Sequence, residues 1–297
     1  MNQTVFKRYE KKYLLSLEQY HALISRVIPR LRPDQYGKHS ICNLYFDSRD
    51  FGLIRRSLEK PAYKEKIRLR SYGVPGPRDQ VFLELKKKYD GVVYKRRVAM
   101  PLAEARQYLS VACATPGERL VSAVSGEGAR GFLAGAMSAD QLQLISAGGG
   151  TKASLAGGMV LAGAGETFRE TGPGRSGQIL KEIDYAIRFH QVRPAVYLAY
   201  ERIAFSGKED PELRVTFDMN IRARDYGLVL EQGTFGVPLL GRGEFLMEVK
   251  IPGAMPLWMS RALSELGIYP VSYSKYGTYY RDFLAGKALE EGGKACA

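Results

Sequence analysis

The sequence predicts an α+β fold: a closed antiparallel β-barrel with flanking helices. Three observations carry that expectation. From Ser40 to Met100 apolar residues recur at every second position, the period of a half-buried strand. Turn signals such as Asp90-Gly91 separate the runs, and Asp-Gly tolerates the positive φ of a tight antiparallel hairpin. The polar face of strand after strand carries Lys and Arg with single Glu residues between them. A merely solvated face would instead mix Ser, Thr, Gln, Glu and Lys.

The elements follow in order. A first strand is expected over 5–15. Ser16 then caps a helix, with Gln19 placed for a capping box, and Tyr20, Leu23, Ile24, Val27, Ile28 and Leu31 recur at helical spacing until Arg32-Pro33 ends it. Strands are expected at 41–47, 63–71, 80–89 and 92–100, and Pro101 opens a short helix to Leu109. The segment 126–177 holds fourteen of the chain's 32 glycines and reads as an insert of small helices and loops. Its Gly148-Gly149-Gly150-Thr151-Lys152 lacks the Gly-Lys-Ser/Thr step of a phosphate loop. A helix over 178–191 precedes strands at 194–206, 213–222 and 244–252. A helix over 255–266 follows, with Pro256 in its first turn and Gly267 at its end. Further elements span 272–276 and 279–284. One domain over 1–285 is expected, with a disordered tail at 286–297.

Lys and Arg total 44 against 31 acidic residues, a formal charge of +13. Such a surplus implies an anionic partner. Cys42, Cys113 and Cys296 show no paired spacing and the chain has three histidines. That argues against a zinc site or disulfide framework and fits a reducing, cytoplasmic setting. No apolar signal region and no run of about 18 apolar residues is present.

The charged faces locate the chemistry. Residues i and i+2 of a strand share a side. Lys66, Arg68 and Arg70 therefore align opposite Ile67 and Leu69, and Glu84 and Lys86 align opposite Leu83 and Leu85. The same split places Arg8, Glu10 and Lys12 together, then Lys95 with Arg97, Tyr200 with Arg202, Arg214 with Thr216 and Asp218, and Glu248 with Lys250. For any single strand a solvated face is the simpler reading. Over seven strands the cations would repel one another unless a polyanion or metal-bound phosphate sat among them. Arg forks suit phosphate oxygens and Lys adds point charge; the interleaved carboxylates suit Mg²⁺ or Mn²⁺. Lys87 points away from Lys86 and Lys88 and should be solvated. His21, His39 and His190 form no ligand cluster, and Tyr279-Tyr280 reads as packing.

An ordered set of short motifs spans nearly the whole chain. It comprises Arg8-Tyr9-Glu10-Lys11-Lys12-Tyr13, Leu44-Tyr45-Phe46-Asp47-Ser48, Lys66-Ile67-Arg68-Leu69-Arg70 and Leu83-Glu84-Leu85-Lys86-Lys87. Tyr200-Glu201-Arg202, Arg214-Val215-Thr216-Phe217-Asp218, Glu248-Val249-Lys250 and Ser274-Lys275-Tyr276 complete it. Together these resemble the VTC (vacuolar transporter chaperone) domain, a branch of the CYTH-like triphosphate tunnel metalloenzymes. The resemblance implies an eight-stranded tunnel barrel that makes polyphosphate from ATP with Mn²⁺ or Mg²⁺. It also implies that Lys12, Arg68, Arg70, Lys86, Lys95, Arg202, Arg214 and Lys275 bind phosphates, with hydroxyl contacts from Tyr200 and Ser274. Arg68, Arg70, Lys86 and Arg202 would act in catalysis, and Glu248, with Glu84 and Glu10, would hold the metal. Arg8 stands where the related adenylyl-cyclase branch has a glutamate, and Ser272 where the eukaryotic polymerase subunits have a basic residue.

The implied reaction passes the γ-phosphoryl of ATP to the end of a phosphate chain, with positioning and charge neutralisation as the protein's part. Water as acceptor would make a triphosphatase or polyphosphate hydrolase; no acceptor would leave a polyphosphate-binding sensor. Nucleic acid is not an expected partner, because no aromatic platform is interleaved with the cations. Coupling to transport would need a membrane-protein partner.

Overall fold

The computed structural model describes residues 9–90, 92–114 and 173–286. Arg8, the Gly148–Lys152 stretch, most of 126–177 and the segment 287–297 lie outside the described residues.

The strands are β1 (Tyr9–Leu15), β2 (Leu31–Pro33), β3 (His39–Asp47), β4 (Tyr63–Tyr72), β5 (Gln80–Tyr89), β6 (Val92–Pro101), β7 (Arg193–Gly207), β8 (Arg214–Arg224), β9 (Val237–Pro238) and β10 (Phe245–Ile251). The helices are α1 (Leu17–Val27), α2 (Gly52–Leu58), α3 (Leu102–Ala112), α4 (Pro173–His190), α5 (Leu257–Glu265) and α6 (Lys275–Tyr279), the last running on into a wider turn at Tyr280–Leu284.

All strands join one antiparallel sheet in the order β1-β10-β8-β7-β3-β4-β5-β6, with β2 added to β7 and β9 to β8. The expected closed eight-stranded barrel is corrected: the sheet has ten strands, and among the described residues β1 and β6 remain unjoined edges. The free edge of β1 has another partner. Val271 N–H donates to Lys12 O at 2.7 Å, and Tyr13 bridges Pro270. Edge groups satisfied in this way no longer require β6. The sheet nevertheless curls, bringing Lys86 of β5 close enough to Glu10 of β1 for their charges to interact.

Its outer face is apolar and helix-covered. Leu83, Leu85, Ile67 and Phe46 pack under Tyr108 and Leu109 of α3 and Ile183 and Ile187 of α4. Tyr13, Phe217 and Met247 pack under Leu23 and Val27 of α1 and Met259 and Leu263 of α5. Each such fully buried side chain contributes roughly 1.5–3 kcal/mol. With one face so covered, register is fixed, and every even residue from Lys64 to Tyr72 must point to the other side.

Three local expectations are corrected. The α1 region ends at Val27, continues as a 3₁₀ turn at Ile28–Arg30, and becomes β2. Pro29, lacking an N–H, breaks the α-helical ladder. Pro256 caps α5 rather than lying within it, and Gly267 (φ 61) ends it. In place of separate elements at 272–276 and 279–284, one helical element runs from Lys275 to Leu284, with Ser274 as its N-cap. The Ser16 capping box forms as the spacing predicts, and β5 and β6 pair antiparallel up to Tyr89 and Val92. Lys87 is not solvated: it pairs with Glu182 of α4 at 2.9 Å.

Candidate functional site

The inner face is organised around four carboxylates. Glu84, 1% exposed, lies on β5 between Arg68 of β4 and Arg97 of β6 in the register of both pairs. Its Oε2 accepts from Arg68 Nε at 2.7 Å, and its Oε1 accepts from Arg97 Nε at 2.6 Å and lies 3.3 Å from Lys95. Burial alone would push this carboxyl up; Arg68, Arg70, Lys95 and Arg97 overcome that and hold it well below the usual range.

Asp218, fully buried on β8, receives Arg202 of β7 through bonds of 2.6 and 2.8 Å and Lys275 at 2.5 Å. Lys275 also lies 3.3 Å from Glu248 of β10, and Lys12 of β1 lies 3.5 Å from it. Burial opposes ionisation of Glu248, but Lys275, Arg202, Lys12 and Lys250 keep it well below the ordinary carboxylate range. Glu10 shares Lys12, at 3.3 Å. Burial and the Glu248 charge push Glu10 up, and Lys12, Lys86 and Lys250 bring it below its usual value.

Lys275 and Ser274 arrive from the C-terminal helix. Ser274 is the α6 N-cap, accepting from Gly277 N–H at 3.2 Å, and its hydroxyl also receives Lys66 at 3.4 Å. A Cβ on Gly277 would lie 2.8 Å from Leu58 of α2, so glycine lets α6 approach closely enough to deliver Lys275. The Tyr200 ring sits beneath Lys275 (4.6 Å) and Arg202 (5.3 Å), and its hydroxyl accepts from Arg70 at 3.4 Å.

The cations exceed these carboxylates. Among the described residues Lys66, Arg70, Lys86, Arg214 and Lys250 have no carboxylate within ion-pair distance. Arg70 is held by Asn43 and Tyr200. Arg214 Nε and Thr216 Oγ1 are buried without any protein partner. Burial, with Lys86, Lys12 and Lys64 nearby, pushes the Lys66 ammonium down to about 8, although Tyr45 opposes the shift. Lys86 is likewise lowered by burial and by Arg68, Lys250 and Lys12, against Glu10. Burial raises the Tyr45 phenol, but Arg68, Lys66 and Arg70 outweigh it and bring it down to about 8.

Every expected site residue therefore stands on this one face: Lys12, Arg68, Arg70, Lys86, Lys95, Tyr200, Arg202, Arg214, Ser274 and Lys275, with Glu10, Glu84 and Glu248. The expectation did not assign roles to Asp218, Lys66 and Arg97, although their strand parity placed them here. It named Tyr45 only as part of a motif, without a role, and passed over Asn43; both share the inner side of β3, across from Arg68 and Arg70.

Among the described residues no three His, Cys, Asp or Glu side chains form a metal cage. Mg²⁺ and Mn²⁺ need only one or two protein carboxylates when phosphates supply the rest. Glu10 and Glu248, on neighbouring strands and sharing one ammonium, fit that requirement. Glu84 fits it poorly, because Arg68 and Arg97 grip its two oxygens at 2.7 and 2.6 Å, whereas the cations around Glu248 stand off at 3.3–3.5 Å. No helix among the described residues is long and apolar enough to cross a membrane.

Over 132 residues the chain is 28% identical to vacuolar transporter chaperone complex subunit 4 of Trypanosoma cruzi, a match covering 35% of the chain and 16% of that protein. Two solved structures are similar at lower identity. One is a putative adenylate cyclase from Bacillus halodurans (14% identity, 95% of this chain and 100% of that one, TM-score 0.45). The other is a putative adenylate cyclase from Vibrio parahaemolyticus (10%, 93% and 98%, TM-score 0.40). The VTC domain model matches residues 7–283, and the chain belongs to the VTC domain family.

Proposed function

We propose that the inner face binds the phosphates of ATP and of a polyphosphate chain, and that the protein transfers the γ-phosphoryl group from one to the other. The observation that carries this reading is the cation surplus, above all the buried Arg214 Nε with no protein acceptor. A buried N–H left unpaired is costly, and a phosphate oxygen is the ligand a guanidinium fork suits. The depressed Lys66 and Lys86 ammonium groups gain an anion's stabilisation on binding.

In this reading Arg68, Arg70, Lys86 and Arg202 hold and neutralise the transferring phosphoryl group, in a site preorganised by Glu84 and Asp218. Lys12, Lys95, Arg214 and Lys275 align the remaining phosphates, with Tyr200 and Ser274 beside them. Glu248 and Glu10 would hold Mg²⁺ or Mn²⁺, which supplies further charge neutralisation on the phosphates. Coupling of the reaction to transport would fall to a membrane-protein partner, in a cytoplasmic setting. Incubation of the protein with ATP and Mn²⁺ tests the proposal: ADP and a polyphosphate ladder on a gel are expected. Orthophosphate alone would replace polymerisation by hydrolysis, and no turnover with retained polyphosphate binding would leave a sensor.

A further inference from the structure

We propose that an aromatic row beside the cations, formed by His39, Tyr72 and Phe82, seats the base of a nucleoside triphosphate whose phosphates enter the charged face. The inference rests on the phosphate-binding reading and adds a second subsite to it.

The row continues the same strand faces. Tyr72 lies two residues beyond Arg70 on β4, and Phe82 two residues before Glu84 on β5. One same-face step along a strand is about 6.7 Å, so the rings begin one side chain away from the phosphate-binding groups. His39 enters from β3, opposite Arg202. The Tyr72 and Phe82 rings lie 5.6 Å apart at 74°, and His39 lies 6.2 Å from Tyr72. Arg97 ties the row to the charges: its guanidinium lies 4.5 Å over the Phe82 ring and donates to the Tyr72 hydroxyl at 3.5 Å.

Exposure separates this row from the tyrosines of α6. Tyr276 and Tyr279, each 3% exposed, are sealed into the apolar cluster with Leu198 and Ile221. His39, Tyr72 and Phe82 are only partly buried. Partly exposed rings next to a guanidinium suit a flat π ligand carrying an anionic tail; a bare polyphosphate would use none of them. The polar atoms of the row are engaged in part, the Tyr72 hydroxyl as acceptor from Arg97 and His39 Nδ1 by Gly37 O at 3.1 Å. Three ring surfaces favour stacking over readout of a base edge, and stacking tolerates any base. ATP and GTP should therefore bind alike.

The test is titration of the full chain, with divalent metal chelated, using ATP, GTP and tripolyphosphate. Phe82→Leu and Tyr72→Leu should weaken both nucleotides roughly tenfold, in the range stacking contributes, and leave tripolyphosphate within about twofold. Tyr72→Phe, which keeps the ring, should retain nucleotide affinity. Unchanged nucleotide affinity in both leucine variants, or equal weakening of nucleotide and tripolyphosphate, overturns the base subsite alone. Failure of the wild type to bind tripolyphosphate at all would overturn the phosphate reading beneath it.

Discussion

Arg202 and Asp218 face each other across β7 and β8, joined by two hydrogen bonds of 2.6 and 2.8 Å in the fork geometry of a guanidinium on a carboxylate. Asp218 is fully buried and also holds Lys275 at 2.5 Å. Without its charge, two cations would share a pocket with only Glu248 to separate them. Asp218→Asn keeps the shape and removes the charge, and should cost about 3–5 kcal/mol in urea unfolding, the usual result of breaking a buried pair from one side. Tripolyphosphate should restore part of that loss by supplying the missing anion. An unchanged midpoint would show that the pair does not hold the site.

Lys66 gives a pH dependence with opposite signs for stability and for binding. Its ammonium is pushed down to about 8 in the fold, from an ordinary 10.5. Between these values the unfolded chain binds the proton more tightly, so this group's contribution to stability rises with pH across about 8 to 10.5. The cost of the buried charge is fully present below about 8. Tripolyphosphate affinity should move the other way, falling as pH passes about 8 and the charge is lost. Lys66→Met should weaken binding at pH 7 about tenfold or more, as loss of a charge-assisted hydrogen bond would. It should also stabilise the ligand-free protein and flatten both pH profiles. Wild-type affinity that stays level from pH 7 to 10 would remove Lys66 from the site.

The inner face was legible because strand parity is a local property: Lys66, Arg68 and Arg70 must share a side whatever the rest of the sheet does. Closure was not, since it depends on which segment occupies an edge, and along β1 it is Val271, outside any strand, that bonds Lys12. Helix α2 was hidden for a related reason. Its N-terminal N–H groups at Leu53 and Ile54 are satisfied by Asp47, six and seven residues earlier, beyond the reach of the local capping rule. The roles of Asp218 and Tyr45 emerge only once β7 brings Arg202 beside the first and β4 brings Arg68 beside the second. The aromatic row was readable by parity from Arg70 to Tyr72 and from Phe82 to Glu84. It went unread because Tyr72 and Phe82 close one strand and open the next, and only the β4–β5 pairing makes them neighbours.

Glu248 separates metal-dependent turnover from simple anion binding. As a carboxylate among cations it opposes the entry of a bare polyanion, whereas as a metal ligand it would be required for transfer. Glu248→Gln should lower Mn²⁺-dependent ADP formation by more than the 10–100-fold that even outer-shell changes cost metal sites. Metal-free tripolyphosphate binding should be kept or tightened, because one negative charge has left the face. Glu10→Gln should show the same pattern more weakly, since Glu10 is the more exposed of the two, at 35% against 10% of its side chain. Parallel loss of turnover and metal-free binding would make Glu248 an organising anion like Glu84.

Tyr276 tests whether the C-terminal helix must be held in place for Lys275 to act. Its hydroxyl donates to Asp47 Oδ2 at 2.8 Å, and the same carboxylate accepts the backbone N–H groups of Ser48, Leu53 and Ile54. One buried acid thus links the end of β3, the start of α2 and the helix carrying Lys275. Burial raises the Asp47 carboxyl against those hydrogen bonds, so the loss of any one donor exposes an unmet cost. Tyr276→Phe should destabilise the fold by about 1.5–3 kcal/mol, the range for a hydrogen bond to a charged group. Loosening α6 should also weaken tripolyphosphate binding, although the Tyr276 hydroxyl itself is turned to Asp47. Lys275→Met should weaken binding as well, but through the missing charge and without that route to instability. If Tyr276→Phe lowers stability and leaves tripolyphosphate affinity at the wild-type value, the Asp47–Tyr276 bond serves the fold alone and does not position Lys275.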